Sequence, residues 1–148
     1  MELLENLESE LYQKIKCCRL DECRDILDRY SYDDFKNYIQ YNPEHYNRII
    51  LKSNDLFDIM LICWNIDQES KIHDHPENGC LLKVLKGELL EDIYFNKNDV
   101  MSYVKTNVVS ENNFGYREKN TMIHKIIPTQ KTVSLHIYSP SNFKASYY

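Results

Sequence analysis

The sequence predicts a mainly β protein, a small barrel or sandwich covered on one side by N-terminal helices. Three observations lead to this prediction. Apolar residues recur every three or four positions from Leu3 to about Tyr41, which is the period of amphipathic helices. Short apolar segments separated by turn residues follow. The length of 148 residues suits one core rather than two. We therefore expect one domain, 1–148, with a helical cover over 1–42 and a β barrel over 43–148.

The helical cover should consist of two or three short helices. Its apolar positions form three groups, which are Leu3, Leu4, Leu7, Leu11 and Ile15, then Ile26, Leu27 and Tyr30, then Phe35, Tyr38 and Ile39. Ser31 is suited to cap the third helix, because Asp34 stands where a carboxylate reaches back to the first free amide. Pro43 marks the end of the helical region. We expect these helices to pack on one side of the barrel.

Nine later segments have the length and composition of β-strands. In chain order they are RIILKS, FDIMLICW, KIHDH, CLLKVLKG, ELLEDIYF, DVMSYVK, FGYRE, MIHKII and VSLHIYS. Short strands at this spacing, separated by Asn, Gly, Asp and Pro, indicate an antiparallel barrel or sandwich.

Charge and composition limit the function classes. The formal net charge is -5 with no basic stripe, so we do not expect a nucleic-acid partner. The N-terminus is acidic where a secretory signal would be basic, and no apolar run approaches the roughly 20 residues that cross a bilayer. We expect a cytoplasmic monomer with no membrane partner.

The cysteines are expected to be free thiols. They are Cys17, Cys18, Cys23, Cys63 and Cys80. An odd number without a C-x-x-C pair describes neither a disulfide framework nor a structural zinc site.

Two histidines one residue apart are the first candidate metal ligands. His73 and His75 stand in KIHDHPENGC. In an extended chain residues two apart face the same side, so the two imidazoles can share one ion. Two exposed histidines near a turn would have the same spacing, and the motif alone leaves both interpretations open.

The segment after these histidines resembles the first motif of the cupins, which are small double-stranded β-helix, or jelly-roll, barrels. Gly87 stands where that motif has its closing glycine, after Cys80 and six intervening residues. In the usual cupin pattern a metal-binding glutamate occupies the position of Cys80. Because Cys80 is a thiol, the segment resembles only those cupins that lack this glutamate.

Two later segments add polar candidates. His124, in TMIHKII, can supply a third ligand from a neighbouring strand, although a hydrogen-bonded core histidine is the other interpretation. In VSLHIYSP, the side chains of Ser134, His136 and Tyr138 alternate with apolar ones. Directed inward, they form a relay. Directed outward, they form an ordinary solvent face, which the spacing alone favours.

Four blocks in this order, YNRI, HDHPENGC, KVLKGEL and SLHIYSP, resemble the cysteine dioxygenases, the thiol dioxygenase branch of the cupins. The match runs from about Tyr46 to Pro140. The resemblance implies that His73, His75 and His124 bind a non-haem ferrous ion. Three neutral imidazoles leave Fe(II) its full positive charge, which favours a thiolate substrate.

The resemblance also implies a substrate and the residues that bind it. The substrate would be L-cysteine, whose thiol is oxidised with O2 to cysteine sulfinic acid. Arg48 matches the family's carboxylate-binding arginine, and a guanidinium fork suits a carboxylate. Tyr46 matches the tyrosine beside it, and Tyr138 matches the tyrosine that faces substrate and oxygen.

The resemblance also implies that three further residues hold the Tyr138 side chain in position. His136 and Ser134 form the hydrogen-bonded chain behind its hydroxyl group. Cys80 approaches Tyr138 closely enough to form the thioether crosslink that part of the family contains. Family members continue past the position of Tyr148 with strands that help cover the mouth of the site, a difference that bears on substrate access.

Three other functions stay open at this point. The same chemistry could act on another thiol such as 3-mercaptopropionate, although relatives of that type tend to carry glutamine at the position of Arg48. The barrel could hold zinc or another ion and act as an isomerase or hydrolase. It could also be a catalytically silent cupin that binds a metal, a thiol or a regulatory ligand.

Overall fold

The computed structural model describes residues 2–118 and 122–148. Within these ranges the α-helices are α1 (Glu2–Ile15), α2 (Arg24–Leu27) and α3 (Tyr32–Phe35), with 3₁₀ turns at Leu20–Cys23 and Lys36–Tyr38. None of these helices is long and apolar enough to span a membrane. The prediction of two or three short N-terminal helices is confirmed.

The rest of the described chain is mainly β. Its strands are β1 (Asn47–Ser53), β2 (Asp58–Trp64), β3 (Gly79–Lys86), β4 (Glu88–Lys97), β5 (Val100–Ser110), β6 (Phe114–Arg117), β7 (Met122–Pro128) and β8 (Thr132–Ser139). They form a five-stranded sheet in the order β1-β2-β8-β3-β6 and a three-stranded sheet in the order β5-β4-β7. All strand pairs are antiparallel, as predicted.

The start of α3 follows the predicted capping pattern in part. Ser31 is the residue before the helix, and its backbone N–H donates to the Asp34 carboxylate at 2.8 Å. The Ser31 hydroxyl lies 3.5 Å from the same carboxylate instead of capping a helix amide. The carboxylate therefore satisfies the free amide at this end of α3.

The central strands of the large sheet, β2, β8 and β3, are buried on both faces. The outer face of this sheet packs against the helices in a cluster that includes Leu7, Leu11, Leu27, Phe35, Ile59, Leu61, Leu135 and Ile137. Its inner face meets the small sheet in a cluster that includes Met60, Ile62, Trp64, Leu82, Leu89 and Ile126. Alternate residues of the central strands β2 and β8 therefore enter two different cores.

The polar side chains of β8 belong to the inner face. Ser134 and His136 are 0% and 2% exposed. The expectation from spacing alone, that this face is turned to solvent, is wrong. The helices cover the apolar face formed by Leu135 and Ile137, and β8 lies between β2 and β3. The polar face is therefore enclosed between the two sheets.

The prediction that KIHDH forms a strand is also wrong in part. This segment is not a ladder strand, and it contains isolated bridges from His73 to His124 and to Tyr147. Pro76, which has no N–H to donate, follows this segment, and Gly79, with a φ of 101°, begins β3. His73 still makes one complete antiparallel pair with His124, through N···O distances of 2.9 and 3.1 Å.

Candidate metal centre

Three histidine side chains converge between the two sheets. The ligand atoms of His73, His75 and His124 all lie within 4.8 Å of one another. The Nε2 of His124 is 2.8 Å from that of His75 and 3.0 Å from that of His73. His75 and His124 are 1% and 3% exposed, and His73 is half-buried. The structure thus brings together the three residues singled out as ligands.

The backbone explains this convergence. His73 and His124 are paired across the bridge, which places their side chains next to each other. His75 follows two residues later and joins them on the same side, as the H-x-H spacing suggested. One ligand therefore comes from β7 of the small sheet, and two come from the segment leading into β3.

Hydrogen bonds at the outer nitrogens determine which atoms face the centre. His73 Nδ1 lies 2.7 Å from the Lys71 carbonyl oxygen, which can only accept. His124 Nδ1 lies 2.7 Å from an oxygen of the Glu91 carboxylate. Both Nδ1 atoms therefore carry the proton, and both Nε2 atoms present lone pairs. Two lone pairs 3.0 Å apart repel each other, and a cation bound between them removes this repulsion. The residues present fit a metal ion.

Burial keeps these imidazoles neutral. Desolvation lowers the pKa of His73, His75 and His124, and the neighbouring imidazoles lower those of His75 and His124 further. Neutral imidazole is the form that binds metals.

A partly buried ion pair lies behind His124, and sequence analysis missed it. Glu91, on β4, is 2% exposed. Its carboxylate accepts hydrogen bonds from Nε and Nη2 of Arg117 at 3.0 and 3.2 Å. One signal could have found Glu91. It alternates with the buried Leu89 and Ile93, so a charged residue occupies a position of the inward face of β4.

The polar side chains of β8 point into the space between the sheets and form the hydrogen-bonded chain expected for that direction. The Trp64 indole N–H donates to Ser134 Oγ at 3.0 Å, and Ser134 Oγ lies 2.7 Å from His136 Nε2. Because Ser134 Oγ accepts from Trp64, its own proton is free to donate to Nε2, and in that arrangement His136 carries its proton on Nδ1. That N–H points toward the Tyr138 hydroxyl oxygen at 3.5 Å. Trp64 was not singled out in the sequence.

Cys80 and Tyr138 are direct partners in the β3–β8 register. Such pairs have Cβ atoms about 5 Å apart, within reach of a side-chain contact. The Cys80 sulfur also lies 3.9 Å from His136 Nδ1. Burial raises the pKa of Cys80 to about 12 and raises that of Tyr138 well above its usual value. Both groups keep their protons at neutral pH.

Arg48 and Tyr46 line the same cavity as Cys80, His136 and Tyr138. Arg48 pairs with Ile62 in the β1–β2 register, and Ile62 pairs with Ser134, so all three belong to one row of the inner face. Within residues 2–118 and 122–148, Arg48 has no carboxylate in an ion pair with it. Tyr46 stacks on Trp64 with ring centroids 4.6 Å apart.

The final segment of the chain covers one side of the cavity. Phe143, Ala145 and Tyr147 line it. The segment is held to the H-x-H region by a hydrogen bond of 2.7 Å from the Ser146 amide to the Asp74 carboxylate. Residues 143–147 therefore bound the cavity on this side.

Solved structures with a similar fold come from proteins of low sequence identity. A protein from Thermus thermophilus has a TM-score of 0.58 and 16% identity, with 75% of this chain and 98% of that chain covered. A cupin superfamily protein from Desulfitobacterium hafniense has a TM-score of 0.56 and 16% identity, with coverage of 70% and 84%. These similarities confirm the cupin fold.

Sequence comparison gives a narrower relationship. Human cysteine dioxygenase type 1 is 31% identical over 130 residues, which cover 82% of this chain and 65% of the human protein. The Danio rerio cysteine dioxygenase type 1 is 28% identical over 151 residues, with coverage of 94% and 75%. The chain thus spans about two thirds of the length of the human protein. The family model for cysteine dioxygenase type I matches residues 4–148. The chain therefore belongs to the cysteine dioxygenase type I family.

Proposed function

We propose that this protein is a cysteine dioxygenase that oxidises the thiol of L-cysteine with O2 to cysteine sulfinic acid. The observation that supports this proposal most is the convergence of three neutral imidazoles in a cavity that also contains the Arg48 guanidinium, which has no ion-pair partner among the described residues. The imidazoles suit a divalent ion, and the guanidinium suits a carboxylate. L-cysteine carries both a thiol for the ion and a carboxylate for the arginine.

His73, His75 and His124 would hold a single ferrous ion. When bound, Fe(II) would supply the Lewis-acid and redox chemistry by which a thiol is oxidised with dioxygen. The protein contributes ligands without charge, so the double positive charge of the ion is available to an anionic substrate.

Arg48 would bind and orient the substrate carboxylate through two parallel hydrogen bonds. Tyr46 lines the same cavity and is held in place by stacking on Trp64. Together they determine which end of the amino acid enters first, so the thiol reaches the histidines.

Tyr138 would donate its hydroxyl proton toward the substrate and oxygen. Because His136 Nδ1–H points at the phenol oxygen, that oxygen accepts from His136 and its own proton stays available. Ser134 holds His136 in this tautomer, and Trp64 holds Ser134. Fixed orientation of this kind is what placing a reactive oxygen requires.

Cys80 and Tyr138 would form a thioether between the cysteine sulfur and a ring carbon of the phenol. The thiol hydrogen and one ring hydrogen are lost, and O2, which the proposed reaction already uses, accepts the two electrons. The bond would remove the rotational freedom of the ring. Their cross-strand pairing supports this proposal.

A nearer alternative keeps the chemistry and changes the thiol. 3-Mercaptopropionate also carries a carboxylate, so Arg48 accepts it in principle. L-cysteine has an amine in addition, and comparing the two substrates under identical conditions distinguishes them. We expect the higher kcat/KM for L-cysteine.

The test is O2 consumption by protein loaded with Fe(II) without oxygen and then given L-cysteine in air. Cysteine sulfinic acid must be measured as well, because spontaneous thiol oxidation consumes O2 but gives cystine. We expect His124→Ala to abolish sulfinate formation and His45→Ala to retain it, because His45 is exposed and outside the cluster. Absence of sulfinate at full iron occupancy would refute the proposal.

A further inference from the structure

The partly buried Arg117–Glu91 ion pair connects the two sheets beside the candidate metal centre. Arg117 ends β6 in the large sheet, Glu91 lies on β4 in the small sheet, and His124 lies beside Glu91 on β7. One carboxylate oxygen of Glu91, Oε2, is shared by Arg117 Nε at 3.0 Å and His124 Nδ1 at 2.7 Å. The carboxylate therefore links the arginine directly to a candidate ligand.

Arg117 is the charged partner of Glu91 and gives it two hydrogen bonds, while Asn107 Nδ2 adds a longer one to Oε1 at 3.3 Å. A carboxylate that is 2% exposed is costly unless its charge is paired and hydrogen-bonded. The guanidinium provides this through two parallel hydrogen bonds, the second of them from Nη2 to Oε1 at 3.2 Å. A fork of this geometry holds the plane of the carboxylate, which a single contact does not.

The orientation of Glu91 in turn determines the orientation of His124. An ionised carboxylate at Nδ1 keeps the proton on that nitrogen and leaves the lone pair on Nε2. It also holds the ring where Nε2 comes within 3.0 Å of both other Nε2 atoms. His73 is oriented separately, by the Lys71 carbonyl in its own segment. His124 is the ligand that comes from the other sheet.

We infer that Arg117 is a positioning residue for the metal centre, acting through Glu91 on His124. Its fork keeps the ligand of the small sheet aligned with the two ligands that precede β3. This inference rests on the proposed metal centre. It makes a claim about metal affinity, which is measured without turnover.

The experiment compares metal binding by the wild type with that of Arg117→Met, Arg117→Lys and Glu91→Gln. Affinity for Fe(II) is measured without oxygen by competition with a chromophoric chelator, and the thermal unfolding of each metal-free protein is recorded. We expect Arg117→Met and Glu91→Gln to weaken binding by roughly 10- to 100-fold, the usual effect of losing such an outer partner. Arg117→Lys keeps the charge but loses the fork, so its affinity should be intermediate.

Arg19→Met is the matched control. It removes an arginine that pairs with Glu118, just after β6, at 2.7 Å, away from the three histidines. Its Fe(II) affinity should equal that of the wild type. The double variant Arg117→Met/Glu91→Gln should bind no more weakly than the worse single variant, because both changes break one chain of contacts.

The outcomes separate this inference from the proposed function. If Arg117→Met loses thermal stability but binds Fe(II) like the wild type, the pair only joins the sheets and the inference is wrong. If Arg117→Met does not fold, Glu91→Gln decides in the same way, since it preserves the side-chain shape. If the wild type binds no better than His124→Ala, the proposed metal centre fails, and the inference fails with it.

Discussion

At the scale of single residues, burial determines the charge of the site. Burial lowers the pKa of His136 to about 3, and the nearby positive charge of Arg48 is the second largest cause of this shift. Burial also raises the pKa of Cys80 to about 12. These groups are therefore neutral at neutral pH. The charges of Arg117 and Glu91 cancel each other. Among the described residues that line the cavity, Arg48 is therefore the positive charge available to a substrate.

The first prediction concerns the carboxylate-binding role of Arg48. In Arg48→Ala, kcat/KM for L-cysteine should fall by roughly 10- to 100-fold, because a charged hydrogen bond contributes about 1.5–3 kcal/mol. Cysteamine lacks the carboxylate, so its kcat/KM should change little. Initial rates of O2 consumption with both thiols measure this difference. Equal losses for the two would contradict the assigned role.

The second prediction concerns the crosslink. After turnover with iron, O2 and L-cysteine, the intact mass of the wild type should be lower by two hydrogens, while Cys80→Ser and Tyr138→Phe keep their full mass. The sulfurs of Cys17 and Cys18 lie 3.5 Å apart, and a disulfide between them would give the same loss. Mass spectra are therefore recorded after reduction, which a thioether survives. A reduced wild type of full mass after many turnovers would rule the crosslink out.

At the scale of secondary-structure elements, turns determine how the sheets meet. Gly87 joins β3 of the large sheet to β4 of the small one with a φ of 96°. A Cβ there would lie 2.3 Å from Thr132 Oγ1 and 2.7 Å from the Lys131 carbonyl oxygen. The position therefore requires glycine for both its conformation and its space, consistent with the closing glycine of the cupin motif.

The third prediction follows from this turn. Gly87→Ala should lower the free energy of unfolding by about 2 kcal/mol or more, because strain and overlap add. Gly115→Ala is the control, since its Cβ would come no closer than 3.4 Å, to the Leu82 side chain. Its free energy of unfolding should stay within about 1 kcal/mol of the wild type. Urea unfolding of the three proteins provides the comparison, and similar midpoints for both variants would contradict this account.

At the scale of the whole molecule, the two sheets enclose a set of neutral histidines. In the unfolded chain these histidines regain an ordinary pKa of about 6.5. For His136, whose pKa is about 3 in the folded protein, the unfolded chain therefore binds a proton between these two values that the folded protein does not. Its contribution to stability is complete above the unfolded pKa and is lost as the pH falls toward the folded one.

The fourth prediction is the size of this pH dependence in metal-free protein. As the pH falls from about 6 to about 4, His136 should lower the free energy of unfolding by about 1.4 kcal/mol per pH unit. His136→Gln should reduce the total slope by about that amount, and His45→Gln, an exposed control, should not. Urea unfolding at several pH values measures the slopes. A His136→Gln slope equal to that of the wild type would show that His136 is not held neutral by burial.

Particular residues show how much of the site was accessible from sequence. His73 and His75 were recognisable from their spacing, and His124 from its segment together with the family blocks. Glu91 and Arg117 were not, because their contact joins two sheets and lies 26 positions apart in the chain. Spacing also gave the wrong side for the polar face of β8, since alternation does not say which layer covers each face.

The sequence by itself determined the order and type of most elements, because hydrophobic periodicity follows directly from local backbone geometry. It also determined family membership, through short blocks whose residues are close in the chain. Only the tertiary structure decided that the H-x-H segment contacts β7 through a single isolated bridge and is not a strand of the sheet. It also decided that the polar face of β8 lies inside. It alone showed that Glu91, which contacts the third histidine, is paired with Arg117 of the opposite sheet. These features depend on contacts between residues distant in sequence, for which local periodicity carries no information.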